Sequence, residues 1–204
     1  MGTTTTPIDL GPAAERVGAL VRAVPDGDLD RPTPCAEYSL GDLLDYIGAL
    51  GPGFRSAADK SVLLADPTPP PPGDGARLES GWRERIPLAL VAMADAWRVP
   101  DAWTGLTRAG GLDLPAEIVG LVALEELVVH GWDLAAAIGR PYAVEPAEIE
   151  ACRGILEQFA GVDGPGTQAG IYGPPVDVAP DASPLDRLVA LAGRDPAWVT
   201  RSGR

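Results

Sequence analysis

The only histidine of this 204-residue chain, His130, lies four residues after Glu126. If the segment is helical, the two side chains project from one face, one turn apart. A carboxylate and an imidazole in that relation can hold one metal ion or transfer one proton. Isolated Glu/His pairs of this spacing are also common in helices where the histidine only packs or caps. Glu126 and His130 are therefore candidate metal ligands and candidate catalytic residues.

The segment that carries the pair reads as a long helix from Pro115 to Ile138. Proline suits a first helical turn, and Gly139 followed by Pro141 is a typical stop. The pair falls on or beside an apolar stripe, where polar groups cost several kcal/mol unless they are paired or ligating. The stripe is formed by Val119, Ala123, Glu126, His130 and Ala137.

Hydrophobic periodicity predicts five further helices. They cover residues 9–24 with Asp9 as N-cap, a segment that starts at Ser39, and residues 82–97, 146–159 and 183–192. Ser39 and Asp42 fit a capping box. The proline of Gly51-Pro52-Gly53 predicts a kink or a break in the second helix, and Pro87 a kink in the third. Residues 64–77 read as a surface loop, and strand signals are poor, so one all-α domain over residues 1–204 is expected.

Composition excludes several function classes. The net charge of −13 argues against nucleic acid and against anionic membrane surfaces, which both require clustered Lys and Arg. No apolar run approaches the roughly 18–20 residues of a spanning helix, and the polar N-terminus has no signal-peptide core. With two separated cysteines, a reduced cytoplasmic protein is expected. Cys35 is interpreted as structural and Cys152 as a small core residue.

Several blocks of the sequence together resemble one family. Pro34-Cys-Ala-Glu-Tyr-Ser-Leu-Gly-Asp-Leu-Leu-Asp-Tyr46, Glu126-Leu-Val-Val-His-Gly-Trp-Asp-Leu-Ala135, Tyr172-Gly-Pro-Pro-Val176 and the segment 186–198 occur in order. They resemble DinB/YfiT-like metal-binding proteins, which are similar to the N-terminal domain of mycothiol-dependent maleylpyruvate isomerase. The resemblance implies a four-helix bundle with additional C-terminal helices, and it makes a mycothiol-type thiol a candidate cosubstrate.

The resemblance also implies a metal ion, held by a histidine of the second helix and an E/D-x-x-x-H pair of a later helix. Glu126 and His130 match the pair, but Tyr46 stands where the other histidine is expected. Neutral tyrosine is a poor zinc ligand. We expect either no metal or a weakly bound divalent ion, at a degenerate site. A site formed by Tyr46, Glu126 and His130, or assisted by Asp42, remains the alternative.

These residues suggest an enzyme that acts on a small organic molecule. Gly48, Gly51 and Gly53 could open a cavity beside the pair, or simply mark a fraying helix end. In such a cavity Tyr46 would donate a hydrogen bond to a carbonyl, His130 would act as base and Glu126 would orient it. Isomerisation, cyclisation or thiol-dependent transfer in a biosynthetic setting fits. Aromatic walls for the substrate would come from Trp82, Trp97 and Trp132, which are otherwise ordinary core residues.

An alternative from another class is a non-catalytic carrier or resistance protein, in which the cavity only binds its ligand. The enzyme is favoured, but a tyrosine in place of histidine is compatible with both. The expected partner is a small molecule, with no nucleic acid and no membrane, and a homodimer is left open. Maleylpyruvate isomerisation itself is not expected, because no segment resembles the additional C-terminal domain of that isomerase.

Overall fold

The computed structural model describes residues 7–64, 68–159 and 174–199. These residues form six α-helices and one short hairpin. The helices are α1 (Gly11–Ala23), α2 (Leu40–Ala58), α3 (Trp82–Trp97), α4 (Ala116–Ala137), α5 (Pro146–Phe159) and α6 (Pro184–Leu191). Both α1 and α2 pack against α3 and α4, while α5 packs on α4 and α6 on α5. The predicted all-α bundle with additional C-terminal helices is confirmed.

The central element is α4, whose 22 residues are buried on almost every side. A helix that is apolar all round has to be covered all round, and α1, α2 and α5 provide that cover. Its C-terminus is closed by Gly139 at φ 66°, and Arg140 N donates back to Ala135 O. This Schellman-type ending is the stop that the sequence predicts. Beyond the exposed Glu117 in its first turn, the polar residues of α4 therefore lie largely against other helices.

Helix α2 begins as the sequence predicts, but its middle differs from the prediction. Ser39 caps the helix with Asp42 as its partner in a capping box, as predicted. Of the kink or break predicted at Pro52, the break is wrong, because α2 continues to Ala58. Leu50 before the proline and Phe54 after it are both buried against the bundle. Their burial, at about 1.5–3 kcal/mol each, is large enough to offset the lost hydrogen bond and the proline clash.

The small residues of α2 allow close packing with α3. A Cβ on Gly51 would lie 2.8 Å from Ala89 Cβ, and a Cβ on Gly48 would lie 3.3 Å from Ile86. Pro87 likewise lies inside an α3 that continues to Trp97. The glycines thus serve the contact between the two helices rather than a fraying end.

The hairpin of β1 (Leu106–Ala109) and β2 (Leu112–Pro115) was missed by the sequence analysis. Its two turn residues, Gly110 and Gly111, both have positive φ, which is the requirement of a type I′ turn. The Gly-Gly pair between two short segments was the feature of the sequence that could have predicted this hairpin.

The start of α1 and the loop before α3 differ only slightly from the prediction. The prediction of Asp9 as N-cap is wrong by one residue, because α1 begins at Gly11 and Leu10 is its N-cap. Asp9 Oδ1 still accepts the hydrogen bond of Gly11 N. The loop at 64–77 contains a 3₁₀ turn at Gly75–Arg77. The side chain of Phe159, predicted as core, and Tyr172 of the family blocks lie outside the described residues. None of the described helices combines the length and apolarity needed to cross a membrane.

Candidate active site

The side chain of Tyr46 reaches from α2 to α4. Its hydroxyl lies 3.1 Å from Oε1 and 3.2 Å from Oε2 of Glu126 and donates its single proton to this carboxylate. The capping box that begins α2 fixes the register that points Tyr46 at α4. Asp42 is fully engaged there, since it accepts hydrogen bonds from Ser39 and from Gly75 N. It does not assist the group around Glu126.

Glu126 and His130 meet as their helical spacing predicts. His130 Nε2 lies 3.2 Å from Glu126 Oε2, and the Tyr46 ring packs edge-on against the imidazole with centroids 5.0 Å apart. Tyr46, Glu126 and His130 thus form one contiguous group between α2 and α4. The side chains of Glu126 and His130 keep 13% and 11% of their surface exposed, so solvent reaches the group.

A second carboxylate holds the other side of the imidazole. His130 Nδ1 lies 2.9 Å from Asp133 Oδ2, and Asp133 is fully buried. Arg194 donates to both oxygens of Asp133, from Nη2 at 3.1 Å and from Nε at 3.3 Å. The Arg194 guanidinium also donates to Ala192 O at 2.7 Å. Charges therefore alternate from Glu126 through His130 and Asp133 to Arg194, provided that the imidazole is protonated.

Arg194 was missed as a member of this group. It follows Gly193, whose positive φ ends α6, and Arg194 N donates back to Val189 O. This turn directs the Arg194 side chain toward α4. Arg194 lies 61 residues beyond Asp133, so no short-range spacing in the sequence could predict that the two side chains meet. The only available signal was its place in a block that resembles the family.

The hydrogen bonds and the burial of these side chains shift the pKa values of His130, Asp133 and Tyr46. Burial alone would lower the pKa of His130, but its hydrogen bonds to Asp133 and Glu126 outweigh burial and raise that pKa to about 9. Burial would raise the pKa of Asp133, and its bonds to His130 and Arg194 lower it instead. The negative charge of Glu126, followed by burial, raises the pKa of Tyr46 well above its ordinary value. These shifts favour a neutral Tyr46 phenol and a protonated His130 imidazole at neutral pH.

Cys35 and Tyr38 border the group. Cys35 Sγ, one ring nitrogen of His130 and one carboxylate oxygen of Asp133 lie within 4.8 Å of one another. Tyr38 packs on Tyr46 with ring centroids 5.6 Å apart, and its hydroxyl accepts a hydrogen bond from Gly73 N. Burial is the main reason that the pKa of Cys35 rises to about 11, so its free thiol stays protonated. Cys35, interpreted from sequence as structural, is a neighbour of the histidine.

The tryptophans have other partners. Trp97 Nε1 donates to Phe54 O at 3.0 Å, and the ring packs edge-on against Trp103 in the core. Trp82 is covered by the Arg83 guanidinium at 4.2 Å. Trp132 is buried on α4, two residues from His130. Among the described contacts, none joins Trp82, Trp97 or Trp132 to Tyr46, Glu126 or His130.

A groove of about 480 Å³ opens between α2 and α3. Its lining includes Gly48, Pro52 and Ala89 but none of Tyr46, Glu126 and His130. The small residues of α2 therefore border a surface groove next to α3. The cavity expected beside the Glu/His pair is not this groove.

Comparisons with known proteins agree with the fold. The family model described as "Mycothiol maleylpyruvate isomerase N-terminal domain" matches residues 10–135. Two Mycobacterium tuberculosis proteins, Uncharacterized protein MT0763 of strain CDC 1551 / Oshkosh and Uncharacterized protein Rv0738 of strain ATCC 25618 / H37Rv, are each 25% identical over 190 residues. These alignments cover 89% of this chain and 93% of each relative. No solved structure gives a significant match.

Proposed function

Because the chain belongs to the mycothiol maleylpyruvate isomerase N-terminal domain family, we propose that it is an enzyme that moves protons on a small organic molecule. The reactive group is Tyr46, Glu126 and His130. The observation that carries the proposal is the Glu126 carboxylate, which bonds to the Tyr46 phenol and to the His130 imidazole at the same time. The side chains of Glu126 and His130 keep 13% and 11% of their surface exposed, and the proposal requires the small molecule to enter from this side. Isomerisation, cyclisation and thiol-dependent transfer remain the reaction classes.

The chemistry follows from the protonation states. A substrate carbonyl would take the hydrogen bond that the Tyr46 hydroxyl donates to Glu126 in the free protein. Glu126 would then accept a proton from the carbon next to that carbonyl, while the electron pair of the broken C–H bond forms an enolate stabilised by Tyr46. In a substrate with a carbon–carbon double bond conjugated to that enolate, the His130 imidazolium would deliver a proton at the far carbon while the double bonds shift, and Glu126 would return the first proton to the imidazole. Such an exchange isomerises the substrate with no net change in atoms or electrons.

The remaining polar residues position the acid. Asp133 holds Nδ1 of His130, so that Nε2 faces Glu126, and Arg194 keeps Asp133 charged. This arrangement fixes the orientation of the imidazole and stabilises its protonated form. Asp133 and Arg194 would therefore be positioning residues.

The family is associated with a metal ion and with mycothiol. On the Tyr46 side of His130 the donor set fits a zinc-type ion poorly. Glu126 and His130 Nε2 provide two donors, whereas a catalytic zinc site needs at least three. The third position holds a phenol whose raised pKa keeps it neutral, and Asp42 is engaged elsewhere. We propose that the family's metal site is degenerate at Tyr46. A mycothiol-type thiol remains a candidate cosubstrate.

Proton transfer can be tested before the substrate is known. The full chain is incubated in D₂O with a panel of enolisable 2-oxo acids and β-diketones, with and without mycothiol, and deuterium incorporation is followed by proton NMR. Tyr46→Phe and Glu126→Gln should each slow the exchange of an active compound by at least about 100-fold, the range of general acid–base effects. Tyr142→Phe is the matched control, because its hydroxyl donates to the backbone of Leu127 and not to a side chain of the group.

The carrier hypothesis makes a different prediction in the same experiment. A compound that binds, detected by line broadening, but exchanges no faster than in buffer would support the carrier and contradict the enzyme. Equal exchange rates in the native protein and the Tyr46 and Glu126 variants would also refute the proposed group.

A further inference from the structure

We propose that Cys35, His130 and Asp133 form a site for one zinc-class divalent metal ion at Nδ1 of the imidazole, whose Nε2 contacts Glu126. Within the described ranges, this is the group of potential ligands whose donor atoms converge, all within 4.8 Å of one another. His130 faces the site with Nδ1, the nitrogen that lies 2.9 Å from Asp133 Oδ2. Nothing in the sequence pattern suggested it, because Cys35 is 95 residues before His130 in the chain.

The donor types fit this class of ion. Thiolate, imidazole and carboxylate are the three ligand types of zinc, and three protein ligands leave one coordination position open for water or substrate. Tetrahedral bonds of about 2.0–2.3 Å put neighbouring donors roughly 3.3–3.8 Å apart. The Nδ1–Oδ2 separation of 2.9 Å and the upper bound of 4.8 Å on the other two differ from that by no more than about 1.5 Å. Cys35 lies in the turn before α2 and is only partly buried, so it can make this adjustment.

The surroundings also provide the outer hydrogen bonds that metal sites usually have. With an ion on Nδ1, the remaining N–H of His130 donates from Nε2 to Glu126, which the Tyr46 phenol also contacts. Arg194 donates to the other ligand, Asp133. Metal-bound histidines and carboxylates are typically oriented in this way by outer groups. In this site Glu126 would orient the ligand rather than bind the ion.

The charges balance when the ion binds. A divalent cation replaces the thiol proton of Cys35 and the Nδ1 proton of His130, so two protons leave as two positive charges arrive. The ion and Arg194 then face three anions, the Cys35 thiolate, Asp133 and Glu126. A buried site with no net charge avoids a large desolvation penalty. The metal site goes beyond the proposed acid–base function and competes with it, because an ion on Nδ1 replaces the proton that makes the His130 imidazole an acid. The acid–base function therefore belongs to the metal-free protein. Metal binding is measured without substrate, so each proposal can fail without the other.

Cobalt(II) is the probe, because a thiolate ligand gives it an intense near-ultraviolet charge-transfer band. The reduced, chelator-treated full chain is titrated with Co²⁺ alone. One equivalent should produce the band, and Zn²⁺ should abolish it by displacement. Cys35→Ser should lose the band and bind Co²⁺ at least about tenfold more weakly. Cys152→Ala, which changes the other cysteine of the chain, should keep the band.

Glu126→Gln distinguishes this site from a metal site formed by Glu126 and Nε2 of His130. If Glu126 only orients His130, the variant keeps the thiolate band and loses roughly 10–100-fold in affinity. The proposal is overturned if the native chain gives no band at one equivalent, or if the band survives in Cys35→Ser. It is equally overturned if Cys35→Ser binds Co²⁺ normally while Glu126→Gln does not bind it. Circular dichroism of each variant checks that the fold is intact.

Discussion

Replacing Arg194 by methionine should strongly destabilise the protein, because the Asp133 carboxylate would lose its cationic partner. Asp133 is 0% exposed and the Arg194 side chain 8%, and two hydrogen bonds join them at 3.1 and 3.3 Å. Breaking a buried ion pair by removing one partner costs about 3–5 kcal/mol. Since His130 still contacts Asp133 in the variant, we expect the lower end, about 3 kcal/mol.

The measurement is urea unfolding at pH 7, followed by the helical circular dichroism signal. With a slope of about 2 kcal/mol per molar urea, a loss of about 3 kcal/mol lowers the midpoint by about 1.5 M. Arg153→Met is the matched control, because Arg153 pairs with Glu150 and Glu157 on the surface. Its unfolding midpoint should stay at the native value.

The pH dependence gives an independent check. The folded-state pKa of Asp133 is lowered, so the stability gained from the charged carboxylate is present above its unfolded pKa of about 3.9. This stability is lost as the pH falls through the folded-state pKa. The difference between the native protein and Arg194→Met should therefore shrink below about pH 4. A midpoint within 0.3 M of the native value at pH 7, roughly 0.6 kcal/mol at that slope, would refute the reasoning.

Two further outcomes are expected. As the only histidine, His130 can be followed by itself in proton NMR, and in metal-free protein it should titrate with a pKa of about 9. Asp133→Asn should lower this pKa, because the variant removes one of the two carboxylates that raise it. A native pKa at or below 6.5 would contradict the described hydrogen bonds. Gly51→Ala should destabilise by about 1–3 kcal/mol in thermal or urea unfolding, because its Cβ would lie 2.8 Å from Ala89 Cβ. Gly53→Ala is the control, because its Cβ would meet no atom within 4 Å, and this variant should stabilise the protein by up to about 1 kcal/mol. Equal effects of Gly51→Ala and Gly53→Ala on stability would show that the contact between α2 and α3 is not the cause.

The sequence by itself determined the features that depend on neighbours a few residues apart. The capping box of Ser39 and Asp42, the glycine stop after α4 and the meeting of Glu126 with His130 all follow from helical spacing. Such contacts span a few residues of the same element, so its geometry alone brings the groups together. The bundle class followed from the same periodicity together with the family resemblance.

Only the tertiary structure decided the rest of the site. Arg194 reaches Asp133 from the end of α6, and Cys35 approaches His130 from the turn before α2. The uninterrupted α2 was decided in the same way, since the burial of Leu50 and Phe54 outweighs the local cost of Pro52. These outcomes depend on how separate helices pack, and packing energies of several kcal/mol exceed local preferences of about 1 kcal/mol. The carboxylates that raise the pKa of His130, Glu126 and Asp133, lie on its own helix, whereas the packing of separate helices brought Arg194 and Cys35 to them.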